Sequence, residues 1–356
     1  MTDLPTPLNL LLFMDSENAP IAELEAVAPG RLSVTAVPAQ AFVDDAGMLP
    51  TTTGLWKPRP WSTDLTPEQR EQILRDTHVL VLTLPYPKRL APRMPNLLWA
   101  QYLWAGISDL QHSDLWGGHV RLTSSRGYVD TTPIAEMVMA AALYFAKTLR
   151  AAVTQAIAGE MDASGYDLRL LAGRTMGVVG LGGIGLEVAR LANAMGMRVL
   201  ASRLSITERQ PGENGVETLY PAADLHEMLA ECDYVALTTA LTDETRDMID
   251  DASVAAMKDG AVLLNVGRGE LIDERALKDG LRSGKVGGAY LDVYTDEWFR
   301  PPDPELLAHP RVLMTPHNSG HVDVASSFAM DVLKQNIASF LAGEPLINEV
   351  DWERGY

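Results

Sequence analysis

Residues 173–203 constrain the fold more than any other part of the chain, because they combine a short strand, a glycine-rich turn and a helix. Thr175–Val179 is an apolar run rich in β-branched residues, which predicts a strand. Residues 184–195 place apolar side chains three and four positions apart, which predicts a helix, and a second strand is expected at 198–201. This order is typical of a βαβ unit in a doubly wound α/β domain.

The turn in this unit carries the pattern Gly-x-Gly-x-x-Gly at Gly180, Gly182 and Gly185. The first glycine permits a tight reversal, the second lets the backbone approach a pyrophosphate, and the third lets the helix pack on the strand. The N-terminus of the helix adds N–H donors and a positive dipole. The motif therefore predicts a dinucleotide site, and the alternative is a glycine-rich turn with no chemical role.

Length and charge limit the classes of protein that this chain can represent. A chain of 356 residues suits two domains, each able to bury its own core. With 47 acidic and 29 basic residues the formal charge is −18, which disfavours nucleic acid and anionic membrane surfaces as partners. The single cysteine, Cys232, fits a reducing compartment, and residues 8–14 are too short and follow too acidic a start for a signal peptide. We expect a cytoplasmic protein.

Predicted strands and helices alternate along the remaining sequence, which is typical of parallel sheets. Further strands are expected at 8–13, 32–37, 78–84, 120–123, 216–219, 233–238, 261–266, 286–293 and 311–315, and a final helix at 321–341. The predicted fold is two doubly wound parallel-sheet domains. Residues 126–315 form the dinucleotide-binding domain, inserted in a substrate domain made of residues 1–125 and 316–356.

The sequence pattern leaves open the roles of one predicted helix and one predicted loop. Residues 131–150 are helical in pattern and apolar nearly all round, which suits burial between domains or subunits, or within one domain. Ala105 and Gly106 end a predicted strand, where a glycine lets a ligand come close. This loop is a candidate substrate loop, and the alternative is a plain turn.

Polar side chains follow three of the strands predicted after the glycine motif, at the strand ends where ligands bind in open α/β sheets. Arg268, between Gly267 and Gly269, has the room and the planar fork to bind a carboxylate with two hydrogen bonds. His317 follows Pro316 in a loop that closes an apolar strand, a suitable place for an acid/base. The alternatives are an arginine that caps the surface and a structural histidine.

Together, Asn265 to Gly269, Leu291-Asp292-Val293 and Thr315-Pro316-His317 behind the glycine motif resemble the D-isomer-specific 2-hydroxyacid dehydrogenase family, over roughly residues 97–344. The resemblance implies that Arg268 binds the substrate carboxylate and carbonyl. It further implies that Glu297 pairs with the catalytic His317, with Asp296 as the alternative partner. Ala105 and Gly106 would bind substrate through backbone N–H groups. A neighbouring carboxylate favours the imidazolium form and fixes the orientation of the ring.

The cofactor that the resemblance implies is a nicotinamide dinucleotide, with Asp292 on the nicotinamide amide. Arg203 stands at the end of the second strand, where NAD-specific relatives carry an aspartate, so it offers a 2′-phosphate a charged contact with Ser202 as a second donor. We expect NADPH to be preferred and NAD to remain usable, unless Arg203 stacks on adenine or points to water. No metal site is expected. The predicted cofactor residues are Gly180, Gly182, Gly183, Ile184, Gly185, Ser202, Arg203, Thr239, Val266, Asp292 and Ser319.

The expected reaction is reduction of a small 2-oxo acid, such as glyoxylate or hydroxypyruvate, to the D-2-hydroxy acid. The alternatives are oxidation of formate or phosphite, or a nucleotide-sensing regulator. The resemblance also implies a homodimer with the helix at 131–150 in its interface. The sequence departs from the family pattern at 298–300, Trp-Phe-Arg, so Trp104 and Trp298 are interpreted either as walls of the pocket or as plain packing.

Overall fold

A computed structural model of the chain describes residues 4–50, 62–127, 130–321 and 328–352. The chain divides into two compact units, one made of Met1–Asp130, Trp298–Pro301 and Val324–Tyr356, the other of Thr131–Glu297 and Pro302–Asp323. The second unit is inserted in the first. The units divide after Asp130 and Asp323 rather than after 125 and 315. The loop with His317 belongs to the second unit, where it is hydrogen-bonded to Asp292.

The first unit begins with a parallel sheet in the order β2-β1-β4-β6-β7, with β3 and β5 as a separate antiparallel pair. The strands are β1 (Leu8–Leu12), β2 (Leu32–Ala36), β3 (Met48–Leu49), β4 (Val79–Leu82), β5 (Tyr86–Pro87), β6 (Trp99–Tyr102) and β7 (Arg121–Ser124), and the helices are α1 (Ile21–Glu25) and α2 (Pro67–Asp76). Every residue of β4 and β6 is buried, as expected for central strands covered on both faces.

Helix α2 shows how local sequence fixes an element in this unit. The Thr66 hydroxyl accepts a hydrogen bond from the Gln69 N–H, and the Gln69 side chain accepts one from the Thr66 N–H, a reciprocal capping box. Pro67 occupies the first helical position, where its missing N–H costs nothing. Thr66 and Pro67 together therefore fix the residue at which α2 begins.

The second unit holds an eight-stranded sheet in the order β10-β11-β9-β8-β12-β13-β14-β15, parallel except for the short β10. Its helices are α3 (Thr132–Ala146), α4 (Leu149–Ala158), α5 (Gly183–Ala194), α6 (Leu225–Leu229), α7 (Asp251–Ala256), α8 (Glu274–Ser283) and α9 (Pro304–Ala308). Its strands are β8 (Thr175–Val179), β9 (Arg198–Arg203), β10 (Gln210–Pro211), β11 (Thr218–Pro221), β12 (Tyr234–Leu237), β13 (Ala261–Asn265), β14 (Val286–Leu291) and β15 (Val312–Met314). The prediction of two doubly wound α/β domains is confirmed.

Two helix predictions differ from the structure. The helix expected at 131–150 is two helices, because α3 ends at Ala146 and Thr148 adopts a left-handed backbone with φ of 49° before α4 begins. Neither glycine nor proline marks this break, so the sequence carries no signal for it. The final helix, α10, covers Phe328–Ala342 in the first unit, and residues 322–327 of its predicted range lie outside the described residues.

No single helix in residues 4–50, 62–127, 130–321 and 328–352 is long and apolar enough to cross a membrane. The pair α3 and α4, bent by 70°, reaches that length and composition only together.

Candidate active site

The glycine motif lies at the middle of the second unit's sheet, in the turn between β8 and α5. Gly180 has a φ of +95°, and a Cβ there would lie 2.7 Å from the Cα of Thr239. A Cβ at Gly185 would overlap the carbonyl oxygen of Gly180 and lie 3.0 Å from the Thr238 hydroxyl. These two glycines are therefore required by backbone conformation and by the packing of α5 on the sheet.

Gly182 differs from the other two glycines because a Cβ at this position would face open space. No atom of the described residues lies within 4 Å of the position that a Cβ would take there. Gly182 is the N-cap of α5, and Gly183 and Ile184 form its first turn, whose N–H groups have no partner within a helix. Strand order reverses between β8 and β12, the point where ligands bind in doubly wound sheets. The turn fits the pyrophosphate of a dinucleotide.

Other predicted cofactor residues lie around this turn. The buried Ser202 accepts a hydrogen bond at its carbonyl from the Gly180 N–H, 3.1 Å away. Arg203 is exposed, and its Nη2 donates to the Leu181 carbonyl inside the turn at 3.2 Å. Thr239 follows β12 and contacts Gly180, while Val266 follows β13 with its N–H donating to the Leu237 carbonyl at 3.3 Å. The strand ends next to β8 therefore bring these residues together.

The loop after β13 places Arg268 beside the end of β12. Asn265 is buried and shapes the loop, since its amide nitrogen donates to the Arg268 carbonyl at 2.8 Å and its amide oxygen accepts from the Gly267 N–H at 3.1 Å. A Cβ at Gly267 would lie 2.9 Å from the Thr239 carbonyl oxygen, and one at Gly269 would overlap the backbone of Tyr294. The flanking glycines thus let the loop pack on its neighbours. The sequence interpretation had given them only the role of leaving room for Arg268.

His317 and Glu297 form the most direct side-chain pair at this edge of the sheet. His317 Nδ1 and Glu297 Oε1 lie 2.8 Å apart, and Glu297 is only 2% exposed. The His317 backbone is left-handed, with φ of 49°, and its N–H donates to the carbonyls of Asp292 and Thr315 at 2.9 and 3.0 Å. Asp296, the alternative partner, is exposed. The structure places Glu297, and not Asp296, beside the histidine.

Asp292 is buried and holds the histidine loop in place. Its carboxylate accepts hydrogen bonds from the Thr315 hydroxyl at 2.5 Å, the Asn318 N–H at 3.1 Å, the Ser319 N–H at 3.2 Å and the Ser319 hydroxyl. These four donors match the usual acceptor capacity of a carboxylate. Asp292 and Ser319 therefore hold each other in this loop, and the contact of Asp292 with nicotinamide that the resemblance implied stays a prediction.

Tyr290 extends this network below the loop. Its hydroxyl lies 2.9 Å from the Thr315 hydroxyl, and burial, together with the charge of Asp292, raises the pKa of the phenol above its ordinary value. The phenol therefore keeps its proton at neutral pH and remains available for hydrogen bonding. No sequence pattern indicated this residue, because a tyrosine in an apolar strand is typical of a core position.

In the first unit, Ala105 and Gly106 are half-buried in the segment that follows β6. Trp104 is anchored there, with its indole N–H donating to the Thr83 hydroxyl at 2.9 Å. Asp109, 2% exposed, accepts hydrogen bonds from the hydroxyls of Tyr86 and Tyr102 at 2.8 and 2.7 Å. The candidate substrate loop thus stands beside a buried polar network that sequence analysis did not identify.

The two tryptophans whose role was left open both pack in the first unit. Trp298 is 5% exposed and is part of that unit's hydrophobic core, and Trp104 is half-buried against the same core. Of the two interpretations, the structure shows packing for Trp298. Phe299, next in the chain, is partly exposed and contacts His112 edge to face at 4.5 Å.

Comparison with protein families and known proteins places the chain among relatives of one kind. Residues 139–319 match the family model described as D-isomer specific 2-hydroxyacid dehydrogenase, NAD binding domain. Glyoxylate reductase of Korarchaeum cryptofilum is 30% identical over 302 residues, which cover 82% of this chain and 89% of that protein. D-3-phosphoglycerate dehydrogenase of Methanocaldococcus jannaschii is 34% identical over 218 residues, 61% of this chain and only 41% of that protein.

Solved structures extend the likeness to nearly the whole chain. The NADPH-dependent glyoxylate/hydroxypyruvate reductase of Sinorhizobium meliloti, in complex with NADP and sulfate, superimposes with a TM-score of 0.73 at 26% identity. That comparison covers 99% of this chain and all of the other.

Proposed function

This chain belongs to the D-isomer specific 2-hydroxyacid dehydrogenases, a family of NAD(P)-dependent oxidoreductases, and we propose that it reduces a small 2-oxo acid with NADPH. Glyoxylate and hydroxypyruvate are the proposed substrates. The observation that carries the proposal is the 2.8 Å pair of His317 and Glu297, at the edge where β13 presents Arg268. Strands β13, β14 and β15 are parallel neighbours, so their carboxyl ends bring a cation, a carboxylate and a histidine to one edge.

Each residue has a distinct part in the proposed reaction. A nicotinamide bound at the glycine turn would supply the hydride to the carbonyl carbon of the 2-oxo acid. Arg268 binds the substrate carboxylate and stabilises negative charge as it develops on the carbonyl oxygen. His317 donates a proton to that oxygen from Nε2, because Nδ1 is held by Glu297. The carboxylate of Glu297 fixes the orientation of the ring, and Ala105 and Gly106 bind the substrate through backbone N–H groups.

The proposed preference for NADPH is supported by Arg203. Its guanidinium is exposed at the end of β9 and touches the glycine turn, where it offers a charged donor to a 2′-phosphate. An aspartate at this place would repel that phosphate. The Sinorhizobium meliloti relative is named as NADPH-dependent, and NAD remains the second cofactor in the proposal.

A panel assay tests the proposed reaction. The purified protein is mixed with glyoxylate, hydroxypyruvate and longer 2-oxo acids, each with NADPH or NADH, and loss of the reduced nicotinamide is followed by its absorbance. Formate and phosphite with the oxidised cofactors serve as the other arm. We expect fastest turnover with NADPH and a small 2-oxo acid. Turnover confined to formate or phosphite would contradict the proposal, and cofactor binding without any turnover would indicate a nucleotide-sensing regulator.

We further propose a homodimer, with the contact centred on α4 rather than on α3. The apolar side chains of α3 are largely buried in the core of their own unit, which fits the alternative of a helix buried within one domain. Leu149, Val153 and Ile157 recur every four residues on one face of α4, and Ile157 is 84% exposed. Other exposed apolar side chains in the segment that follows are Met161, Leu168 and Leu170.

Light scattering tests the dimer and its location. The parent should have twice the monomer mass of 38.7 kDa at micromolar concentration. Val153→Glu combined with Ile157→Glu should give the monomer, because burying two charges opposes association. Exposed Leu307→Glu, on α9, is the matched control and should stay dimeric. A parent of monomer mass would end the proposal.

A further inference from the structure

Asp296 and Glu297 are adjacent in sequence, but only one carboxylate faces His317. The backbone conformation of Asp296 determines which of the two acids it is. Asp296 has a φ of 57°, a left-handed conformation that residues with a side chain adopt only with support from their surroundings. The Glu297 N–H donates to the Tyr294 carbonyl at 3.2 Å and closes the turn. Asp296 is thereby exposed and Glu297 is buried against the histidine.

Glu270 supports this turn from the arginine loop. Its Oε1 accepts a hydrogen bond from the Asp296 N–H at 3.0 Å, on the residue with the left-handed backbone. Glu270 is half-buried and lies in the short 3-10 turn Gly269–Leu271, directly after Arg268. Its own carbonyl accepts from the Asp247 N–H at 2.8 Å, which fixes the segment from the other side.

Gly269 adds a second contact between the same two segments. A Cβ at this position would overlap the backbone of Tyr294 and Thr295, so the backbones of the arginine loop and of the turn at 294–297 touch. The Glu270 carboxylate and the Gly269 backbone therefore brace one turn at two points. The segment that carries Arg268 also sets the conformation that carries Glu297.

We infer that Glu270 is a positioning residue, which selects Glu297 over Asp296 as the partner of His317. The inference rests on the proposed function. Glu270 acts through a hydrogen bond to a backbone N–H, so an acceptor of the same length at this position should be sufficient and a negative charge should not be required. An apolar side chain would leave the Asp296 N–H without this acceptor and release the turn.

Kinetics of matched variants test the inference. Glu270→Leu should lower kcat about five- to tenfold, the scale expected for loss of one hydrogen bond. Glu270→Gln should stay within twofold of the parent, because its amide oxygen accepts the same N–H. Glu305→Leu, which removes an exposed pair with Arg282 in the same unit, is the control and should be unchanged. Glu270→Ser replaces the leucine variant if circular dichroism shows that the leucine variant is unfolded.

A second substitution separates positioning from general loss of structure. In a Glu297→Ala background, Glu270→Leu should cause no further loss of kcat, because the side chain through which it acts is absent. A loss of the same factor in both backgrounds would overturn the inference. Equal kcat for Glu270→Leu and the parent would also overturn it.

Nitrogen-15 NMR of the histidine rings gives a readout that needs no turnover. The His317 signals are assigned by their disappearance in His317→Gln. We expect Glu270→Leu to move the His317 ring resonances, and Glu270→Gln and Glu305→Leu to leave them in place. Unmoved resonances in Glu270→Leu would refute the positioning role. If they move although the parent reduces no 2-oxo acid, the proposed function fails while the role of Glu270 stands.

Discussion

The two units share a parallel-sheet architecture but differ in what their strand ends carry. In the second unit the strand ends carry Arg268, Glu297 and His317, with glycines where backbones touch. In the first unit the segment after β6 is followed by the buried Asp109, held by two tyrosine hydroxyls. The difference teaches that loops after the strands of the second unit present polar side chains, whereas in the first unit a buried carboxylate holds a backbone segment in a fixed shape.

The largest effect should come from the histidine of the second unit. His317→Ala should lower kcat by about a hundredfold or more, the usual loss for a positioned acid/base. Exposed His119→Ala in the first unit is the control and should leave kcat unchanged. The measurement is steady-state reduction of the preferred 2-oxo acid, and a kcat near that of the parent in His317→Ala would remove the distinction between the two units.

The arginine loop should give the next effect. Arg268→Lys should reduce kcat/KM by about ten- to a hundredfold, because an ammonium cannot reproduce the bidentate contact of a guanidinium with a carboxylate. Cofactor affinity, measured by fluorescence titration, should not change. Arg246→Lys, at an exposed position of the same unit, serves as the control. Retention of native kcat/KM on every accepted acid would show that Arg268 is not the carboxylate ligand.

The preference for NADPH over NADH should fall about tenfold when the Arg203 side chain is removed. Arg203→Ala should lower the ratio of kcat/KM for NADPH over NADH by this factor, since at an exposed position a hydrogen bond to a charged group is worth roughly 1.5 kcal/mol, the lower end of its usual range. Arg209 is the matched control, because its guanidinium is paired with Asp224 and Glu227. A parent ratio near one that Arg203→Ala does not move would contradict the proposed preference.

The smallest effect on activity is expected from a substitution in the first unit. Such a substitution should change the free energy of unfolding instead. Tyr86→Phe removes one of the two tyrosine donors to the buried Asp109 and should lower the free energy of unfolding by about 1 to 3 kcal/mol. Half-buried Tyr144→Phe, on α3, is the control. Urea unfolding measures the change. A variant with unchanged stability and impaired cofactor binding would reverse the division of roles between the units.

The strands and most helices were predictable because burial imposes a period and glycine or proline marks the turns. The break between α3 and α4 was not, since neither Lys147 nor Thr148 is a glycine or a proline. The left-handed Thr148 donates its hydroxyl to the Asp167 carbonyl, a contact between segments that are distant in sequence. Within the candidate site, Arg268, Glu297 and His317 were predicted from motifs, and the structure pairs the last two. The parts taken by Asn265, Asp292 and Glu270 in loop geometry depend on contacts between distant segments, which no local pattern records.

Cys232 offers a practical opportunity for spectroscopy. Burial raises the pKa of its thiol to about 12, and the sulfur lies against Met228 and the backbone at Gly177. The thiolate is the form that reacts with a maleimide, and at neutral pH almost none of it is present in the folded protein. Cys232 should therefore resist labelling. As this is the chain's single cysteine, a fluorophore or spin label can be attached to one introduced on either unit without first replacing the native residue.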